Sequence, residues 1–175
     1  MEDWLPHARR GDRAAFEAIY RHYQPRILRF LRFRVSDNSL AEDVTAEVFV
    51  RLLQAMPTTE IRSLRAWLFR TARNLAVDAY RRGAVRDHQP LNDALPAASI
   101  MPEEAAAASE RQRALLATLQ RLPADLMEVV LLRFVFDMTL AEVAYTLGKT
   151  TNAIKGLQRR GIRALRAMMD VTEYE

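Results

Sequence analysis

Four polar side chains near the C-terminus, Asn152, Lys155, Arg159 and Arg163, recur at steps of three or four residues. In a helix that spacing puts them in one row, opposite the apolar set Ile154, Leu157, Ala164, Leu165 and Met168. Their chemistry is hydrogen-bond donation to nucleic acid: Asn can make paired contacts to adenine and Lys can donate to guanine. The Arg residues further along are better suited to holding phosphates. From Lys149 to Arg166 there are six basic residues and no acid. A polyanion partner needs such a cationic face. A solvated outer face of a helical hairpin would have the same composition.

A second set lies between Leu64 and Arg82, where Arg70, Arg73, Asn74, Asp78, Arg81 and Arg82 are interleaved with Trp67, Phe69 and Tyr80. Basic groups among aromatic rings suit unstacked single-stranded DNA, because a base gains about 1–3 kcal/mol by stacking on a ring. The plainer account makes Trp67 a core residue and Asp78 with Arg82 an i,i+4 surface pair. A third set is acidic: Glu42, Asp43 and Glu47. Carboxylates in a first helical turn favour the helix dipole, although Glu47 sits too far along for that account. The functional account is a docking face for a basic protein surface. Acid–base catalysis would need a constellation of His, Lys or hydroxyl partners beside these carboxylates; no such constellation lies nearby in the motif, so no catalytic residue is assigned.

The elements that must carry these sets read as helices throughout. Phe16, Ile19, Tyr20 and Tyr23 form one apolar stripe; Pro25 marks a break before a second, Ile27, Leu28, Leu31 and Val35. Ser39 to Glu42 fits a capping box opening a helix with Leu40, Val44, Val48, Leu52 and Met56 inward, closed by Pro57. A fourth stripe runs through Leu64, Trp67, Leu68, Ala72, Leu75 and Ala79, and Gly83 suits a left-handed cap at its end. In the C-terminal half, Leu115, Leu119 and Leu122 end one helix and Pro123 can start the next. Thr139 to Glu142 is a second capping box; it opens a short helix with Leu140, Val143, Ala144 and Leu147 inward, which Gly148 ends. Thr150 or Thr151 then caps the last helix. Helix, turn at Gly148 and amphipathic helix make a helix-turn-helix, whose second member suits a major groove. Gly156 and Gly161 count against rigidity in it, each costing roughly 1 kcal/mol relative to Ala.

No strand is expected. The fold class is all-α: two small helical domains joined by a flexible linker, with boundaries at 1–82, 83–107 and 108–175. The linker contains Pro90, Pro96 and Pro102 and is rich in Ala and Ser. Length and composition agree: 175 residues, half of them apolar, can bury a core. Residues 1–90 carry a net charge of +5, residues 91–120 of −2 and residues 121–175 of +1. Without Cys there is no disulfide frame, thiolate metal site or cysteine nucleophile, and the three His do not cluster. No metal or other cofactor is expected. No apolar run approaches the roughly 18 residues of a membrane span, and the N-terminus lacks a signal-like apolar stretch, so a cytoplasmic location without membrane insertion is the default.

The segments AEDVTAEVF (41–49), LRAWLFRTARNLAVDAYRR (64–82) and LQRLPADLMEVVLLRFVFDMTLAEVAYTLGKTTNAIKGLQRRGIRALR (119–166), in that order, resemble the two-domain sigma factors of the extracytoplasmic-function type. The resemblance spans residues 13–169. It implies a non-enzymatic protein that binds core RNA polymerase and directs promoter-specific transcription initiation. Residues 13–82 would be region 2 and residues 108–169 region 4. The resemblance implies that Glu42, Asp43 and Glu47, with Val44 and Val48 packing nearby, dock on the clamp coiled coil of the polymerase. It assigns the −10 element to Arg62, Arg65, Trp67, Arg70, Asn74, Asp78 and Arg81, which would melt it and hold an unstacked base. It assigns the −35 element to Thr151, Asn152, Lys155, Arg159 and Arg163. An anti-sigma factor is a further partner it suggests. Where the family usually has Gln before the docking Glu, this chain has Ala46. The alternative is a stand-alone helix-turn-helix DNA-binding regulator, which accounts for residues 119–169 and leaves the other two segments unexplained.

Overall fold

The computed structural model describes residues 4–35, 37–86, 115 and 117–172, and every regular element in them is helical. Contacts divide the chain into two compact units, residues 1–31 with 37–91 and residues 32–36 with 92–175. From residue 87 on, the expected linker 83–107 lies outside the described residues, as do its three prolines. Among the described residues, no helix is long and apolar enough to cross a membrane.

Four helices precede residue 87: α1 (Trp4–Arg9), α2 (Arg13–Arg32), α3 (Asn38–Ala55) and α4 (Leu64–Arg86). Gly11, at φ 87°, turns the chain between α1 and α2. The Asp12 carboxylate accepts from Ala14 N at 2.9 Å and Ala15 N at 3.2 Å, supplying partners for amides that a helix start leaves unpaired. The sequence gives no apolar periodicity for α1, and it was not expected.

Pro25 does not break α2, which runs through it as one helix. An interior proline removes a donor and clashes with the preceding turn, at about 3 kcal/mol. Ile19, Tyr23, Ile27, Phe30 and Leu31 lie on both sides of it and are all buried. Burying each large apolar side chain is worth about 1.5–3 kcal/mol, so the continuous face outweighs the local penalty. Pro25 itself is on the exposed side.

Helix α4 begins where the Ser63 hydroxyl accepts from Ala66 N at 3.3 Å. Its buried face includes Leu68, Phe69, Ala72 and Ala76, and Phe69 meets Phe30 of α2 edge-on at 5.2 Å. Gly83 is not a terminal cap, because α4 continues through it to Arg86. Glycine disfavours a helix interior by about 1 kcal/mol relative to Ala, which is too little to stop a helix of 23 residues.

In the second unit, residues 117–120 are helical, and Leu119 and Leu122 are buried while Leu115 is exposed. Helix α5 (Ala124–Val130) starts on Pro123 and widens into a π turn over Leu131–Val135, where Phe136 N donates to Leu131 O at 3.0 Å. Asp137 (φ 51°) then reverses the chain. Helices α6 (Leu140–Leu147) and α7 (Thr151–Thr172) complete the unit. Met127, Val129, Leu131, Leu132, Met138, Val143, Ile154 and Leu157 form its core.

Candidate nucleic-acid interface

The turn before α7 is held as the sequence predicts. Thr139 Oγ1 accepts from Glu142 N at 3.2 Å, and the Glu142 carboxylate accepts from Thr139 N at 2.8 Å, so the capping box is complete. Gly148 adopts the left-handed conformation at φ 62°, and Lys149 N reaches back to Ala144 O at 3.0 Å. Thr150, rather than Thr151, caps α7: its hydroxyl accepts from Ala153 N at 3.2 Å.

One hydrogen bond and one close packing contact hold α7 on the rest of its unit. Arg133 Nε donates to Gln158 Oε1 at 3.1 Å, and a second guanidinium nitrogen donates to Met138 O. Gly161 faces α5 so closely that a Cβ there would lie 2.8 Å from Val130 Cγ2. The second unfavourable helix former therefore has a packing reason, and α7 is unbroken over Thr151–Thr172.

With Ile154 and Leu157 buried beneath, Thr151, Asn152, Lys155, Arg159 and Arg163 all stand exposed on the outer face of α7. The expected row is thus one surface, able to donate to base edges at its N-terminal end and to phosphates further along. Lys149 and Arg160 are exposed beside it. They belong to the same cationic block but fall outside the helical row used to select the set.

On α4, Asn74, Asp78 and Arg81 are exposed, while Trp67, Arg65 and Arg70 are half-buried. Arg62 precedes the helix and pairs with Glu60 at 3.5 Å, with both side chains largely in solvent. Phe69 is 1% exposed and packs on Phe30, so it is a core ring and not a platform for a base. Trp67 and Tyr80 remain as aromatic groups with accessible surface.

Helix α3 departs from its expected start. Asp37, not Ser39, is the cap: its carboxylate accepts from Ser39 N at 2.9 Å and Leu40 N at 3.4 Å. Asp is as good a cap as Ser, and the earlier start moves the acids inward along the helix. No acid lies in the first turn, so the dipole does not account for Glu42 and Asp43. Both are exposed; Glu47 pairs with Arg51 at 3.0 Å on the same outer surface. Val44 and Val48 are buried in the first unit's own core, as their period along α3 predicts, so they support the acidic face from beneath and are not part of its surface. The apolar groups that α3 does present are Val50 and Leu53, nearly half exposed. Tyr20 of α2 is also exposed, with its ring tilted against Phe49 at 4.7 Å. Helical spacing places Tyr20 in the apolar stripe, but the buried position is its neighbour Ile19.

The sigma-70 region 2 family model matches residues 19–86, and the sigma-70 region 4 model matches residues 118–167. An extracytoplasmic-function RNA polymerase sigma factor of Streptomyces coelicolor, BldN, is 33% identical over 173 residues; the match takes in 97% of this chain and 66% of that protein. Another of the same description from Bacillus subtilis, SigX, is 30% identical over 171 residues, 91% of this chain and 86% of the relative. Among solved structures, CnrH in complex with the cytosolic domain of CnrY has a TM-score of 0.70 at 24% identity, covering 96% of each chain. The sigma factor RpoE of Bartonella quintana, in complex with the anti-sigma factor NepR, has a TM-score of 0.71 at 22% identity, covering 89% of this chain and 97% of that one.

Proposed function

The chain belongs to the extracytoplasmic-function family of RNA polymerase sigma factors, and from that premise we propose that it binds core RNA polymerase and directs promoter-specific initiation. The observation that carries this reading is the order of the two matched regions along one chain, region 2 before region 4. A stand-alone helix-turn-helix regulator would account for the second match only.

The work divides among three surfaces. Residues 1–86, through the end of α4 and four residues past the expected boundary at 82, act as the region 2 domain, the stretch that follows to 107 as the tether and residues 108–175 as the region 4 domain. Thr151, Asn152 and Lys155 read base edges of the −35 element, with Arg159 and Arg163 on the flanking phosphates. Trp67, Arg70, Asn74, Asp78 and Arg81, with Arg62 and Arg65 before them, engage the −10 element. Unpairing that element costs a few kcal/mol, which capture of an unstacked base offsets. Glu42, Asp43 and Glu47 meet a basic surface of the polymerase clamp, and the exposed Val50 and Leu53 add apolar contact beside them. Two weak DNA sites on one tether gain effective concentration, so neither unit need bind tightly alone. An anti-sigma protein is proposed as a further partner, of the kind that RpoE binds.

In vitro transcription with purified core polymerase tests the whole reading. Addition of the chain is expected to create RNA start sites at sequence-defined positions. Unchanged start sites, with no co-purification of chain and core, would reject it.

A further inference from the structure

Helix α7 contains two glycines, and the structure explains only one. A Cβ at Gly161 would collide with Val130. A Cβ at Gly156 would meet nothing within 4 Å. Gly156 has no positive φ to require glycine, and alanine there would favour the helix. Nothing inside the protein calls for the missing methyl group.

The surroundings of Gly156 indicate what does. It lines an open groove of about 630 Å³ with Ala153, and the same groove is bordered by Lys149, Arg159, Arg160 and Arg163. Ala153, Gly156, Arg160 and Arg163 follow at helical steps of three and four along α7, and Lys149 lies in the turn before it, so the groove that the two smallest side chains line has cations from both segments at its border. This face adjoins the row of Thr151, Asn152 and Lys155 without coinciding with it. Asp125 of α5 also borders the groove, and its carboxylate accepts from its own neighbour Leu126 N at 2.9 Å. An open floor of Ala153 and Gly156 bordered by Lys149, Arg159, Arg160 and Arg163 suits a sugar–phosphate strand, which needs close backbone approach and cationic donors beside it.

We propose that Gly156 is a positioning residue for promoter recognition. By omitting a side chain it lets one DNA strand lie against α7, with Lys149, Arg160 and Arg163 on its phosphates, and so sets the depth at which Asn152 and Lys155 reach base edges. This rests on the −35 reading of α7 given above. It adds a residue that carries no donor, and a cost in helix stability that only the bound state offsets.

The test uses the full chain in holoenzyme with core polymerase. The probe is a promoter fragment selected by the wild-type holoenzyme from random-sequence DNA, with a copy scrambled at the −35 element. Gly156→Ala and Gly156→Leu are compared with wild type and with Lys155→Ala, in promoter affinity and in thermal denaturation of the free chain. Both glycine variants are expected to melt at or above the wild-type temperature. Promoter affinity is expected to fall by about 5-fold for Ala and more than 20-fold for Leu, estimates for a close protein–DNA contact of this kind. Glycine variants that melt as expected and bind as tightly as wild type would overturn the proposal while leaving the −35 reading intact, provided Lys155→Ala still weakens binding. A wild-type holoenzyme indifferent to scrambling would overturn the −35 reading, and this proposal with it.

Discussion

Arg133 Nε donates to Gln158 Oε1 at 3.1 Å, linking the π turn after α5 to the middle of the helix that carries Asn152 and Lys155. Because the same guanidinium also holds Met138 O, one side chain ties the chain reversal before α6 to the exposed row on α7. Removing it leaves partly buried acceptors unsatisfied. Arg133→Ala is therefore expected to lower unfolding stability by about 1.5–3 kcal/mol, the range for hydrogen bonds from charged groups. Chemical denaturation of the purified chain checks this, and an unchanged midpoint would show that the bond is incidental.

Asn152 and Lys155 are solvent-exposed on α7, so truncating them should not unfold the unit. Each change to Ala is expected to weaken holoenzyme binding by about 1–3 kcal/mol at preferred −35 sequences and much less elsewhere. A competition assay against a −35 library separates the outcomes. Equal loss on every sequence would mean phosphate contact without base reading.

Charge reversal on α3 should separate binding from stability. The Glu47–Arg51 pair is surface-exposed, and such pairs contribute about 0–1 kcal/mol. Asp43→Lys with Glu47→Lys is expected to leave the melting temperature within a few degrees of wild type while sharply reducing capture of core polymerase. Undiminished capture would remove the acidic face from the docking assignment.

A pH effect centres on His22. Burial holds its pKa below the usual 6.5, and the nearby Arg26 adds to the depression. The ring lies edge-on to Trp4 at 5.5 Å and to Tyr23 at 4.8 Å. With the folded value below the unfolded one, the unfolded chain takes up a proton more readily as pH falls. Stability contributed by neutral His22 is complete above pH 6.5 and is lost as pH drops from there through the folded value. Urea midpoints at pH 7.5 and 5.5 should differ less in His22→Gln than in wild type. An identical difference in both proteins would assign the pH dependence to other groups.

What the sequence made legible was the chemistry that is local in the chain. Thr139, Glu142 and Gly148 act on neighbours within a few residues, so their capping roles could be read directly. Pro25 and Gly83 are equally local signals, yet α2 and α4 continue through both. There the deciding energy is apolar burial along the whole helix, which no short window contains. The exposed row on α7 was legible for the opposite reason, since long-range packing of Ile154 and Leu157 agrees with its period. The burial of Phe69 was not legible because its partner Phe30 lies across the fold, whereas the four-residue period on α3 does place Val44 and Val48 inward. The role of Gly161 was illegible because Val130 is 31 positions away.

The Asp37 cap has one further consequence. Since that carboxylate, and not Glu42, terminates α3, holding the helix together and presenting negative charge fall to different residues. On the docking proposed for this face, exchange of Asp43 for another polar group would retune polymerase engagement while the Asp37 cap and the buried Val44 and Val48 beneath stay in place. Under that proposal, substitutions on the outer face of α3 would alter partner affinity and fold stability independently of one another.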